Sequence, residues 1–494
     1  MNSITPITAT LKPSSGAGEI LSPGERIQVR AGVKTISVAL LTFILLLSGC
    51  AVGPNYHRPA VNTPAAFRGE SPAATNSIAD LPWWQVFHDD TLQALIREAL
   101  TNNYDLKIAA TRVDQARALA ALARAQYFPQ AGYNAGASRG RNAVNNTPTA
   151  SGKTASVFTL DASASWEIDL WGRVRRLTES ARAQYYASQE GRRDVQVALI
   201  AQVAQNYFQL LALDRQLQIA RDTTNAFGGI YQIFDERLRG GVASKLETAS
   251  AEALMDSAAA TIPEFERQII LQENQLSVLL GRNPGPIARP GASLDAQSPP
   301  DVPAGLPSRL LERRPDVREA EQNLRSANAQ VGVAVANFFP QLSLTGLYGQ
   351  VSPELSLLTS GAANAWSAGA NLAGPIFRGG LLKGQLRQAR AAWDEARFQY
   401  QAAVLNALQE VSDALVSRQE LARERLEQSR AVAAYQDAVR VANQRYLGGR
   451  ANYYELLQEQ QQLFPAQNAL TQTLLNQLLA TVQIYKALGG GWKP

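Results

Sequence analysis

What the chain lacks sets the first limits. Its 494 residues hold one cysteine, two histidines and two methionines. A lone cysteine, Cys50, allows no disulfide within the chain. His57 and His88 stand in irregular N-terminal sequence, and no nucleophile elbow, phosphate loop or metal-ligand spacing accompanies them. That leaves an enzyme little to work with. Asp89 and Asp90, beside His88, read as caps of the following helix rather than as metal ligands. Met1 and Met255 make no cluster of soft ligands. No stretch approaches the ~18 consecutive apolar residues of a membrane-spanning helix. Charge is spare too: 47 basic residues against 42 acidic ones leave +5, too small and too dispersed for a nucleic-acid partner.

The N-terminus carries an address. Arg26, Arg30 and Lys34 precede an apolar run, Ile36 to Leu47, that ends in Leu47-Ser48-Gly49-Cys50. A positive flank, a short apolar core and small residues before the cut read as an export signal. Leu-Ser-Gly-Cys resembles the bacterial lipobox, in which cleavage leaves the cysteine as the acylated first residue. Residues 1–49 are then leader, and Cys50 bears a diacylglycerol and an N-acyl chain; no other cofactor is expected. Loss of Lys12, Arg26, Arg30, Lys34, Glu19 and Glu25 takes the charge to +5 − (4 − 2) = +3. Ala51 follows the cysteine, so by resemblance to enterobacterial sorting nothing retains the lipoprotein at the inner membrane.

The body of the chain says the same thing twice. Tyr127-Phe128-Pro129-Gln130 returns as Phe338-Phe339-Pro340-Gln341, a shift of 339 − 128 = 211. Asp105 and Asp316 keep that shift. Asp169-Leu170-Trp171-Gly172 matches Pro375-Ile376-Phe377-Arg378, and Arg237-Leu238-Arg239-Gly240-Gly241 matches Arg445-Tyr446-Leu447-Gly448-Gly449. Recurrence of the same landmarks in order predicts an internal duplication. The expected organisation is a leader (1–49), a lipidated N-terminal segment (50–90), a first repeat (91–290), a Pro-rich linker (291–307), a second repeat (308–490) and a short tail (491–494).

Each repeat is predicted to hold two strands between long helices. From Phe158 to Leu170, apolar Phe158, Leu160, Ala162, Ala164, Trp166, Ile168 and Leu170 alternate with polar residues, the period of a strand. Ala131, Tyr133, Ala135 and Ala137 mark its partner. Leu342, Leu344 and Tyr348, then Trp366, Ala368, Ala370 and Leu372, repeat the pair. Alternation alone favours a half-buried soluble sheet; such strands also fit a transmembrane β-barrel, whose signal per strand is weak. Proline-free stretches from about Arg173 to Arg239 and from about Leu381 to Leu447 predict helices ~100 Å long. Each ends at Gly-Gly, and each is followed by a returning helix, to Leu280-Gly281 or Leu488-Gly489. Leu456, Leu463, Leu470, Leu474, Leu478, Val482 and Tyr485 form a packed seam in the last helix, which Pro465 is expected to kink or loosen. Further helices, Thr91 to Gln126 and Ser308 to Asn337, lead into the strands.

If these strands enter lipid, four cannot close a barrel, and an open edge leaves backbone groups unsatisfied. The chain must then associate, and three copies give twelve strands around a pore.

Cys50-Ala51-Val52-Gly53-Pro54-Asn55-Tyr56, Trp83-Trp84-Gln85, Trp166-Glu167-Ile168-Asp169-Leu170-Trp171-Gly172, Arg313-Arg314-Pro315-Asp316-Val317 and Tyr485-Lys486-Ala487-Leu488-Gly489-Gly490-Gly491-Trp492 resemble the outer-membrane efflux lipoproteins, the NodT branch of the TolC and OprM family. The resemblance implies mixed α and β structure: a homotrimer with a twelve-stranded outer-membrane β-barrel over a periplasmic α-barrel. It implies passive export of drugs or other toxic compounds, with a periplasmic adaptor and an inner-membrane pump, most often of the proton-driven RND type, as partners. By the same resemblance, the adaptor meets the turns Gly240-Gly241-Val242-Ala243-Ser244 and Gly448-Gly449. A resting gate lies just above, where relatives place a leucine ring and, four residues on, an aspartate ring. Here those positions read Tyr454 and Gln458, with Glu455 and Glu459 beside them and an Arg445-Tyr446 pair on the neighbouring helix. The expectation is an aromatic constriction at Tyr454 without an acidic ring at Gln458. A periplasmic coiled-coil lipoprotein, a metal-ion channel and a type I secretion channel remain as alternatives.

Overall fold

The computed structural model describes residues 51–68, 89–141, 154–297 and 310–490. Cys50, His88 and Trp83-Trp84 lie outside the described residues. The elements run α1 (Asp90–Asn102), α2 (Tyr104–Ala125), β1 (Gln130–Arg141), β2 (Thr154–Ile168), α3 (Arg173–Arg239), α4 (Lys245–Ala259), α5 (Thr261–Leu279), α6 (Leu310–Arg313), α7 (Pro315–Ala336), β3 (Gln341–Ser352), β4 (Asn364–Ala373), α8 (Leu381–Leu447) and α9 (Tyr453–Ala487). Among the described residues no helix is long and apolar enough to cross a membrane.

The two longest helices, α3 and α8, have 67 residues each, about 100 Å at the usual rise. Neither contains proline, and each is entered through a left-handed glycine, Gly172 (φ 80°) or Gly380 (φ 88°). Asp169 satisfies the opening amides of α3, accepting from Val174 N (3.0 Å) and Arg175 N (2.9 Å). Trp171 stacks on Phe339 (4.7 Å between centroids) and donates to the Pro340 carbonyl (2.7 Å). The Asp-Leu-Trp-Gly motif is therefore a corner that turns a strand into a helix.

Several predicted helices are divided. Thr91–Gln126 is two elements because Asn103 leaves the helical region (ψ 134°); its side chain caps α2 through Leu106 N (3.0 Å) and donates to the Leu279 carbonyl (3.0 Å). Arg314 is extended (ψ 122°) before Pro315, the conformation a following proline imposes, and separates α6 from α7. Ala260 divides α4 from α5, and Pro263 falls in the first turn of α5, where no helical N–H is missed. Pro465 does the reverse of what was expected: α9 runs unbroken from Tyr453 to Ala487 through it. Pro465 itself is exposed and Leu463 and Leu470 beside it are only half-buried. The one lost backbone bond is outweighed by packing on either side, at buried Leu456 and Leu457 before it and at Leu474, Leu478, Val482 and Tyr485 after it. Asp89 caps α1, accepting from Leu92 N (2.9 Å), and also accepts from the Tyr207 hydroxyl (2.9 Å).

The main core joins α1, the middle of α3, α5 and the distal half of α9, with Leu92, Ile96, Tyr207, Phe208, Leu211, Leu276 and Leu475 among its buried members. Each fully buried side chain of this size stabilises by about 1.5–3 kcal/mol. A second cluster (Val317, Leu324, Tyr400, Val404) joins α7 to α8. Buried charge sits beside it. Arg314 donates to Asp316 (2.7 Å), Glu410 (2.8 Å) and the Ala487 carbonyl (2.8 Å). Nearby, burial and then the charge of Asp316 raise the Asp194 carboxyl above its ordinary range; burial and then Asp194 do the same to Glu319.

The segment after Cys50 is strapped to this frame. Val52 N donates to the Trp171 carbonyl (3.0 Å). The buried Arg176 donates to Asn55 Oδ1 (2.8 Å) and to the carbonyls of Val52 and Gly53. Arg58 and Tyr56 both donate to buried Glu321. A Cβ on Gly53 would stand 2.5 Å from Gly332 Cα, so the strap lies backbone against backbone on α7.

The four strands form one antiparallel sheet in the order β1-β2-β3-β4. Register places Tyr133, Ala162, Tyr348 and Trp366 in one row across it, and Trp166, Leu344 and Ala370 in another. The apolar alternating sets thus share a face. Asn134, Asp161, Ser163, Ser343 and Asn371 stand on the other.

Candidate functional site

Two regions carry the architecture's functional potential: the sheet at one end of the long helices and the paired turns at the other. On the sheet, Tyr133, Tyr348, Trp366 and Leu372 are exposed although they belong to the apolar face. Trp166 donates its indole N–H to the Tyr127 carbonyl (2.9 Å). Among the described residues neither β1 nor β4 has a second neighbour, so each leaves a row of unpaired backbone groups.

The turns repeat one another bond for bond. After α3, Gly240 N, Gly241 N and Val242 N donate to the carbonyls of Glu236, Leu238 and Arg237. After α8, Gly448 N, Gly449 N and Arg450 N donate to those of Gln444, Tyr446 and Arg445. Gly241 (φ 73°) and Gly449 (φ 69°) take the left-handed conformation that such a helix ending needs. The returning helices then start on side-chain caps. Ser244 and Glu247 form a reciprocal capping box, and Asn452 accepts from Glu455 N (3.1 Å). Val242 and Leu246 remain exposed at the tip, near Ala243.

Just behind the turns, an aromatic cluster pins the two hairpins together. Phe234 of α3 meets Tyr453 of α9 edge-on (4.2 Å), and Tyr446 of α8 packs on both, at 6.5 Å from Phe234 and 6.1 Å from Tyr453. Ala251 and Leu457 complete the buried group. Arg237 donates to the Tyr446 hydroxyl (2.8 Å), a bond from the first hairpin to the second. Tyr453's hydroxyl is buried without a partner among the described residues, and burial, then Tyr446, pushes this phenol up to about 12. Arg445 pairs with Glu455 across the second turn (3.2 Å), both half exposed.

The residues singled out in the sequence are therefore split. Arg445, Tyr446 and Glu455 lie together, engaged with other side chains. Tyr454 is 73% exposed and lies on one helical face with exposed Gln458, one turn on. Glu455 is aimed at α8 rather than along that face, and Glu459 is half-buried. Sequence reasoning missed Phe234, Arg237 and Tyr453. The density of aromatics within three turns of both Gly-Gly pairs, from Tyr231 and Phe234 to Tyr446, Tyr453 and Tyr454, was the available signal.

The chain matches the model of the outer membrane efflux protein family over residues 95–282 and again over 306–490. A probable efflux pump outer membrane protein, TtgC of Pseudomonas putida, is 38% identical over 465 residues, covering 92% of this chain and 95% of that protein. The cation efflux system protein CusC of Escherichia coli is 32% identical, covering 91% and 97%. Among solved structures, the open state of the MtrE outer membrane channel of Neisseria gonorrhoeae superposes with a TM-score of 0.82 at 31% identity, over 90% of this chain and 99% of that one. Long paired helices, an open four-stranded sheet and these likenesses over nine-tenths of the length agree, and the chain belongs to the outer membrane efflux protein family.

Proposed function

We propose that the chain is the outer-membrane exit duct of a tripartite efflux system and works as a homotrimer. Each copy contributes four strands to a twelve-stranded barrel and its long helices to a periplasmic tube. The observation that carries this reading is the four-stranded sheet: one face apolar, both edges unpaired, mounted on helices about 100 Å long. In lipid such edges must be paired, and further copies of the same sheet supply the pairing. Cys50, carrying diacylglycerol and an N-acyl chain, anchors the strap to the membrane.

Passage is passive, so the duct needs no catalytic group. An inner-membrane pump of the RND type supplies the energy, and a periplasmic adaptor docks on Gly240, Gly241, Val242, Ala243, Ser244, Gly448 and Gly449. Tyr454, with Gln458 a turn behind it, forms the resting constriction; Arg445, Tyr446, Glu455 and Glu459 hold the helices around it. Uncharged Gln458 makes this gate less attractive to cations than a carboxylate ring. The cargo fits the toxic small molecules named for the relatives, such as the toluene of the Pseudomonas putida toluene efflux pump protein.

The test is the native mass after extraction from outer membranes in mild detergent, followed by conductance in planar bilayers. A trimer that conducts supports the reading. A folded monomer without conductance would leave a periplasmic coiled-coil lipoprotein with an ordinary sheet.

A further inference from the structure

The surface by which one copy meets the next can be read from the chain's own internal contacts, an inference that rests on the assembly just proposed. The two halves correspond element by element. α2 and α7 have 22 residues each at an offset of 315 − 104 = 211. β1 and β3 have 12 residues each, start after a proline, and share that offset (341 − 130). α3 and α8 stand at 381 − 173 = 208, as do their entry glycines (380 − 172). The sheet obeys the same two offsets. Paired residue numbers sum to 130 + 165 = 295 between β1 and β2 and to 341 + 373 = 714 between β3 and β4, and 295 + 211 + 208 = 714.

One contact has no counterpart among the described residues. β2 pairs with β3 at a sum of 158 + 352 = 510, and the equivalent pairing would join a β4 to a β1, the two free edges. We propose that β4 of one copy pairs antiparallel with β1 of the next at a sum of 510 + 208 − 211 = 507. Ala370 then stands opposite Ala137 of the neighbouring copy, and Leu372 opposite its Ala135. The odd sum sets the even-numbered apolar residues of β4 (Trp366, Ala368, Ala370, Leu372) against the odd-numbered apolar residues of β1 (Tyr133, Ala135, Ala137). A slip of one residue would set apolar against polar across the seam.

The helices mark the same seam. α7 lies between α3 and α8, whereas its counterpart α2 packs on α3 and leaves Tyr104, Ile108, Leu119 and Leu122 exposed. Phe398 and Leu405 of α8 are exposed too, yet their counterparts on α3, Glu190 and Val197, are buried, Glu190 by Arg318 of α7 (2.7 Å). The neighbour's α2 is the missing cover of α8, as α7 is of α3. At the corner, Trp171 stacks on Phe339 within the chain, while Phe377 after β4 and Phe128, the counterpart of Phe339, are both exposed. Phe377 lies two residues short of the position that the offset of 208 assigns to the counterpart of Trp171 (171 + 208 = 379), and with Phe128 it is an exposed aromatic at the corner.

Directly opposed residues of an antiparallel pair bring their Cα atoms to about 4.5–5.5 Å, within the range that a disulfide spans. The experiment is oxidative cross-linking of the full-length protein in outer membranes, with wild type, which retains Cys50, as the background. Ala137→Cys combined with Ala370→Cys should convert the protein to covalent dimers and trimers, and either single variant should not. The pairs Ala135→Cys with Ala370→Cys and Arg139→Cys with Ala370→Cys, each two residues out of register, should link at least tenfold more slowly. Ser138→Cys with Ala370→Cys, on opposite faces, should not link. Native mass is measured on every variant. A trimer that links fastest through position 135 or 139, or through none, overturns the register while leaving the trimer standing. A monomer overturns both.

Discussion

Phe234→Ala attacks the pin between the hairpins. The ring is 1% exposed, so its removal forfeits the transfer energy of a fully buried aromatic and leaves a cavity, together about 3–5 kcal/mol. The edge-on contact with Tyr453 at 4.2 Å contributes a further 0.5–1.5 kcal/mol or so. These losses are local, because the cluster touches only the last turns of α3 and α8 and the first of α4 and α9. If the pin holds the resting tip closed, even about 3 kcal/mol shifts the closed-to-open ratio about a hundredfold in each copy. Single-channel recording in planar bilayers should then show long open dwells, and cells carrying the variant should become sensitive to large antibiotics that the closed duct excludes. Phe234→Leu, which keeps most of the volume, should lie near wild type. Tyr453→Phe separates packing from hydrogen bonding. It removes a buried hydroxyl that has no partner, so it should keep the tip closed and stabilise by about 1 kcal/mol. The reasoning fails if Phe234→Ala forms a normal trimer whose resting conductance and dwell times match wild type.

Tyr454→Ala should raise resting conductance without changing thermal stability, since the ring is mostly exposed; unchanged conductance and antibiotic permeability would remove it from the gate. Glu455→Gln breaks a half-exposed ion pair and should cost at most about 1 kcal/mol, an effect that shrinks in high salt. Asp194→Asn and Glu319→Gln should raise the melting temperature at neutral pH. The folded protein holds both carboxyls above their ordinary range, so each favours its protonated form and destabilises the fold once ionised. The gain should therefore fade as pH falls below the ordinary carboxylate range; a gain that is constant across pH, or greater in acid, contradicts the sign. Cys50→Ser should abolish incorporation of radiolabelled palmitate, and persistent labelling would place the lipid elsewhere.

Periodicity, composition and turn chemistry decided much of this protein before any tertiary contact formed. The alternation from Phe158 to Ile168 specifies a strand with one apolar face, and a one-residue slip would invert it. Freedom from proline between Arg173 and Arg239 permits a continuous helix, and Gly240-Gly241 ends it because glycine alone enters the left-handed region at no steric cost. Local sequence also splits the helix before Pro315, a boundary that the expectation of one helix from Ser308 to Asn337 passed over although the residue preceding a proline marks it. Other features depended on partners far along the chain. Pro465, itself exposed, is tolerated because buried segments before and after it hold the helix in place. Arg176 is buried because the backbone of Val52 and Gly53 and the side chain of Asn55 come to it. Phe234 and Tyr453, 219 positions apart (453 − 234), share no period or motif that links them. Their contact exists because two hairpins of matched length return to the same height, a matter of tertiary geometry.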